Sequence, residues 1–127
     1  MLRGMNTLHP PLRHLALAVR DQPRSARFYS SLFGYRPVRR SPDGVLMLTG
    51  PDGFSLALGS TDEAVALPAF VHFGFCAANP AAVGVIRGEV AGRGAEIVAE
   101  CDEPGYVSFK CRDPDGYVVE VAWEPTP

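Results

Sequence analysis

The segment PDGYVVEV, residues 114–121, has a counterpart in PDGFSLAL, residues 51–58. Aligned from the proline, each gives a tight turn, an aromatic residue and then an alternating apolar run of the kind that forms a strand. One column differs in kind, because Ala57 stands opposite Glu120. A strand repeated with a carboxylate in one copy and a methyl group in the other points to a duplicated unit. It also asks what the carboxylate does.

The flanking sequence repeats in the same order. LRHLALAV (12–19) is apolar and suited to a strand. In RDQPRSARFYSSLFGYRP, Asp21 is placed to cap a helix, Pro23 suits its first turn and Gly34 suits the residue after its end. A helix is therefore expected over about 22–33. Ala26, Phe28, Tyr29, Leu32 and Phe33 give it an apolar stripe. Strands are expected near 36–40, 45–50 and 54–59, separated by PDG turns at 42–44 and 51–53. STDEAVALP (60–68) connects to a second round. FVHFGFCA (70–77) reads as a strand. Asn79 with Pro80 opens a helix that runs to about Arg93 and is ended by Gly94. Strands are expected at 95–101, 106–112 and 117–123. Both halves read β-α-β-β-β.

The expected fold is thus α+β: tandem βαβββ modules, about 12–59 and 70–124, forming curved mixed sheets around a cup with the helices outside. Residues 1–11 read as a flexible lead-in and 12–127 as one domain. A chain of 127 residues suits one domain with a real core. The net charge of −2 is scattered and gives no electrostatic footprint for nucleic acid or an anionic membrane surface. No apolar run approaches the roughly 20 residues of a membrane span, and the first residues lack the apolar stretch of a signal peptide. Cys76, Cys101 and Cys111 are odd in number and without CxxC spacing, so reduced thiols in a cytoplasmic protein are expected.

Side chains alternate across a strand. In the first strand Leu15, Leu17 and Val19 share the face expected to meet a helix, and Leu12, His14, Ala16 and Ala18 share the other. Val71, Phe73 and Phe75 are expected in the core, with His72, Gly74 and Cys76 opposite. Likewise Tyr117, Val119, Val121 and Trp123 face inward, and Val118, Glu120 and Ala122 outward. Val107, Phe109 and Cys111 are core positions; Tyr106, Ser108, Lys110 and Arg112 are not. RHLAL aligns with VHFGF, which sets His14 opposite His72.

Opposed sheets would bring the second faces around one cavity, where His14, His72, Glu120 and Lys110 would meet. Two imidazoles and one carboxylate suit a divalent cation such as Fe2+, Mn2+, Ni2+ or Zn2+, with positions left open for substrate and water. The absence of cysteine from the set argues against a structural zinc site. Lys110 is the candidate catalytic residue, neutralising developing charge or binding a substrate carboxylate. Tyr106, Ser108 and Arg112 are candidates to orient substrate, with Met47 and Phe70 as apolar walls. The competing reading is plainer: satisfied polar side chains lining a cup, a solvated lysine and ordinary core packing.

LRHLALAVRD…SARFYSSLFGYRP, VHFGFCA and DPDGYVVEVAW, within the duplicated βαβββ unit, closely resemble the vicinal oxygen chelate superfamily. That group includes glyoxalase I, extradiol dioxygenases, fosfomycin resistance enzymes and bleomycin resistance proteins. The resemblance covers about residues 12–124 and implies metal ligands at His14, His72 and Glu120. Glyoxalase I adds a glutamate in the column that this chain fills with Ala57, which tells against that activity. Fosfomycin enzymes carry a threonine where this chain has Ala16. They and the extradiol enzymes carry a tyrosine where it has Lys110. The resemblance implies a metal-dependent lyase, isomerase or dioxygenase acting on a small molecule, often a homodimer with a site built from both chains. The alternative is a metal-free protein that sequesters a drug, as bleomycin resistance proteins do.

Overall fold

The structure is a computed structural model that describes residues 8–125. Residues 1–7 of the expected lead-in lie outside the described residues. The chain runs β1 (His14–Val19), α1 (Gln22–Phe33), β2 (Arg36–Arg40), β3 (Leu46–Thr49), β4 (Ser55–Ser60), β5 (Phe73–Cys76), α2 (Pro80–Gly92), β6 (Ile97–Glu103), β7 (Tyr106–Arg112) and β8 (Val118–Trp123). This is the expected α+β order, βαβββ twice.

The helices begin and end for local reasons. The Asp21 carboxylate accepts the Arg24 N–H at 3.0 Å, a cap worth about 1 kcal/mol. Gly34, at φ 72°, takes the left-handed turn that stops α1. Asn79 caps α2 by accepting the Ala82 N–H at 2.8 Å, and Pro80 follows it.

The duplication is written into strand pairing. The sheets have the orders β1-β4-β3-β2 and β5-β8-β7-β6. In each, the first strand of a module pairs in parallel with its last, and the other pairs are antiparallel. Ala16 pairs with Ala57, and Gly74 with Glu120. Both partners lie two residues beyond a histidine. Across the other edge Met47 pairs with Ala57 and Lys110 with Glu120. Even the irregularity recurs, with register shifts at Pro37/Arg39 in β2 and Ile97/Ala99 in β6.

One face of each sheet is buried. Leu17, Val19, Leu48, Leu56 and Leu58 fill the first module, and Phe109, Cys111, Val119 and Val121 the second. Each such aliphatic or aromatic side chain contributes about 1.5–3 kcal/mol when fully buried. On the opposite faces His14, Ala16, Ala18, Gly74 and Cys76 are exposed. The expected alternation therefore holds along β1, β5 and β8; in β7 Ser108, expected on the open face, is buried. Alternation also fails just before β5. The Val71 N–H bonds the Pro68 carbonyl at 3.0 Å in a turn, so pleating starts only at Phe73. Val71, expected in the core, is exposed, and Phe70 is 81% exposed.

Helix α1 serves both modules. Phe33 stacks on Phe75 with ring centres 3.8 Å apart, and Tyr29 lies beside Phe73 and Phe75. The turn DPDG completes the join. Asp113 accepts the N–H groups of Asp115 and Tyr117 at 2.9 and 3.0 Å, and the Tyr29 hydroxyl at 2.6 Å. Asp115 accepts the Arg20 N–H at 2.9 Å and the Ser25 hydroxyl at 3.1 Å. The Tyr117 hydroxyl donates to the Ala18 carbonyl at 2.9 Å. Both aspartates are buried, whereas Asp52 of the equivalent PDG turn is exposed. One repeated turn has thus become a clasp between modules while its copy remains at the surface.

The three cysteines are free thiols. No described helix is long and apolar enough to cross a membrane.

Candidate metal centre

The open face of the second sheet gathers the polar residues that alternation put there. Glu120 is in the middle of β8, and the chain just before β5 delivers His72 to it. His72 Nε2 lies 3.3 Å from Glu120 Oε1. The other ring nitrogen, Nδ1, lies 2.7 Å from the Phe70 carbonyl oxygen. A carbonyl only accepts, so Nδ1 carries the proton. In a neutral ring Nε2 then turns a lone pair toward a carboxylate oxygen. Two acceptors facing each other need a cation or a proton between them. An imidazole held by an Nδ1–H to carbonyl bond is also the usual outer arrangement of a metal-binding histidine.

Gly74 makes room for this. A Cβ at Gly74 would stand 3.3 Å from the Glu120 carbonyl oxygen, tighter than side chains normally pack, and 3.5 Å from its Cβ. The Tyr106 hydroxyl donates to Glu120 Oε2 at 2.6 Å. Burial pushes the Glu120 carboxyl up. The hydroxyls of Tyr106 and Ser108, followed by the charge of Lys110, outweigh it and hold the group below the usual carboxylate range. Glu120 is therefore an anion at neutral pH, as a ligand must be. The Tyr106 phenol is raised by the same hydrogen bond, then by burial and the Glu120 charge, and so stays a donor.

Lys110 pairs with Glu120 across β7 and β8, and its Nζ lies 5.6 Å from the centre of the Phe70 ring. Phe70 also meets the His72 ring edge-on at 5.3 Å. Ser108 is buried. Phe70, considered only as a wall, thus supports His72 through its carbonyl and Lys110 through its ring. Backbone acceptors carry no sequence signal, so only the exposed aromatic beside a histidine hinted at it.

Three expected members are elsewhere. His14 is exposed at the start of β1, paired with Ser55 in the first sheet. Among the described residues, no group of three or more His, Cys, Asp or Glu side chains gathers within metal-binding reach. The single-chain meeting of His14 with His72 and Glu120 is therefore not what the fold builds. Its reason is that α1 and the aromatic side chains of β5, not the open sheet faces, join the modules. Met47 belongs to the first sheet, at the position equivalent to Lys110. Arg112 turns away, donating to the Gly116 carbonyl at 3.1 Å and pairing with Glu96 at 3.4 Å. A cavity of about 680 Å³ lies between the modules, lined by apolar groups such as Leu15, Phe33, Phe54 and Phe75. None of the candidate residues lines it.

Known proteins place this architecture. An uncharacterized protein of Pseudomonas aeruginosa is 30% identical over 91% of this chain and 90% of its own length. A glyoxylase/bleomycin resistance protein/dioxygenase domain from Frankia sp. EAN1pec superposes with a TM-score of 0.77 at 22% identity, over 92% of this chain and 99% of that one. The fosfomycin resistance protein FosX of Listeria monocytogenes superposes with a TM-score of 0.79 at 18% identity, over 92% and 95% of the two chains. These likenesses show the fold. The family model described as Glyoxalase/Bleomycin resistance protein/Dioxygenase superfamily matches residues 12–121. With nearly the whole duplicated unit inside that match, the chain belongs to this superfamily.

Proposed function

We propose that this protein is a metal-dependent enzyme that holds two vicinal oxygens of a small substrate on a divalent cation. His72 and Glu120 of one copy and His14 of a second copy would supply the ligands, in a homodimer. The observation that carries the reading is the pair of facing acceptors, His72 Nε2 and Glu120 Oε1, 3.3 Å apart with the imidazole tautomer set by Phe70. Both histidine-bearing faces are open, which leaves room for a second copy to bring His14 to Glu120. A point mutant of FosX, which shares the fold, has been crystallised with Mn(II) and a dihydroxypropylphosphonic acid. Manganese therefore stands beside Fe2+, Ni2+ and Zn2+ among the cations to test.

When bound, such a cation supplies Lewis acidity toward substrate oxygens. This chain's own residues do the rest. Lys110, beside Glu120 and over the Phe70 ring, binds a substrate carboxylate or offsets charge that develops on an oxygen. Ser108 and the exposed Phe70 ring bound the space in which the substrate lies. Ala57, in the column that mirrors Glu120, adds no fourth ligand, so more than one position stays free for substrate. That favours lyase, isomerase or dioxygenase chemistry over the glyoxalase I reaction.

The test is metal content after purification without chelator, in wild type, His72→Ala and a mixture of His14→Ala with Glu120→Ala. Wild type is expected to hold close to one cation per chain and His72→Ala almost none. Random exchange of subunits between the other two variants restores one complete site in each mixed dimer, about a quarter of all sites. A wild type that stays empty with every cation supplied would sink the enzyme reading in favour of metal-free binding. No restoration in a mixture shown to have exchanged subunits would confine the site to one chain.

A further inference from the structure

Glu120 has two carboxylate oxygens, and they face different partners. Oε1 looks toward His72 Nε2 at 3.3 Å. Oε2 accepts the Tyr106 hydroxyl at 2.6 Å. Tyr106 is the first residue of β7 and lies fourteen residues before Glu120, so it reaches along the open face from beyond the Lys110 rung. The phenol also meets the Ser108 hydroxyl, and its bond to Glu120, at 2.6 Å, is short enough to be charge-assisted. The hydroxyl therefore holds the carboxylate in one rotation about its terminal bond.

We infer that Tyr106 is a positioning residue that makes Glu120 a one-oxygen ligand. A free carboxylate takes a cation through one oxygen or through both. With one lone pair of Oε2 engaged by Tyr106 and the carboxylate held in that rotation, Oε1 is the oxygen presented on the His72 side. A cation held through Oε1 alone would keep a further position for the second of the two substrate oxygens. Tyr106 thus acts through Glu120 rather than on the substrate itself, a different role from the substrate contact its place on β7 suggests. The inference rests on the metal reading above and sharpens it: it accounts for how a three-ligand site keeps enough open positions to chelate.

Cobalt(II) titration tests it, since the visible absorption of Co(II) reports coordination number independently of turnover. The proteins compared are wild type, Tyr106→Phe, Glu120→Ala and Lys110→Met. Tyr106→Phe keeps the ring, and its metal-free melting temperature is expected within a few degrees of wild type. Its Co(II) spectrum is expected to shift toward a higher coordination number, and its affinity to change by about tenfold, the low end for loss of an outer-shell partner. Lys110→Met removes a nearby charge but not the bond, so its spectrum is expected to match wild type. A Tyr106→Phe spectrum and affinity equal to wild type, with Glu120→Ala binding lost, would overturn the role of Tyr106 and leave the metal site standing. The same spectral shift in Lys110→Met would also overturn it, because the cause would then be charge and not the hydrogen bond. A wild type that binds no Co(II) would overturn both readings.

Discussion

Ala57 and Glu120 occupy the same place in two copies of one sheet. Each pairs in parallel with the residue two beyond a histidine, and each has its antiparallel partner, Met47 or Lys110, on the other side. The methyl group is 9% exposed. A glutamate there would set a second carboxylate on the His14-bearing sheet.

Ala57→Glu is therefore expected to have two opposed effects. Without metal, crowding a carboxylate into a nearly closed position costs about 1–3 kcal/mol, seen as a lower melting temperature. With divalent metal, the added ligand tightens binding, and ligand linkage returns stability in proportion. The metal-induced rise in melting temperature should exceed that of wild type. An equal rise in both proteins would show that the column at 57 does not face the cation.

The clasp between modules gives a separate expectation. Asp113 is buried, and burial raises its carboxyl above the ordinary range, with the Tyr29 hydroxyl and two backbone N–H groups pulling the other way. Burial, and next the Asp113 charge, holds the Tyr29 phenol well above its ordinary value, which keeps it the donor. Tyr29→Phe removes that donor without opening a cavity. Losing one partner of a buried carboxylate is expected to cost about 1–3 kcal/mol. Urea unfolding would measure it; a midpoint within error of wild type would mean that the two backbone bonds suffice.

Much of this was legible in the chain. Asp21, Gly34, Asn79 and Pro80 mark helix ends by chemistry that acts within a few residues, and both helices begin where those residues put them. The equivalence of Ala57 and Glu120 followed from the repeated PDG turns, because a turn sets register. Long-range assembly was another matter. Alternation says that His14 and Glu120 are on open faces but not which open faces meet. That depended on Phe33 and Tyr29 packing against β5, which the helical stripe alone does not direct to one sheet or the other. Val71 was misplaced because Pro68 starts a turn that delays the strand. Arg112 was drawn to Glu96, a partner just before β6 that parity does not reveal. The clasp was hidden for a similar reason. PDG occurs three times in the chain, and nothing in the triplet tells which copy is buried.

The buried thiol of Cys111 gives a pH dependence whose sign is set by its surroundings. Burial, and then the charge of Asp113, pushes the thiol up to about 11. In the unfolded chain a cysteine ionises near pH 8.5–9. The folded value is the higher one, so the folded state keeps a proton that the unfolded state gives up. The resulting stability is fully present below about pH 8.5 and is lost as pH rises toward 11, by about 2–3 kcal/mol in all. Cys111→Val keeps the volume and the apolar contacts but has no proton to lose. Unfolding free energy measured between pH 8 and 10 should fall more steeply for wild type than for Cys111→Val, because the other titrating groups are common to both proteins. Iodoacetamide at pH 8 offers an independent reading, since Cys76 is exposed and Cys111 is fully buried. Mass spectrometry should find Cys76 modified first and Cys111 protected until the protein unfolds. Parallel pH slopes in the two proteins, or early labelling at Cys111, would mean that the strand pair β7 and β8 opens far more readily than its packing implies.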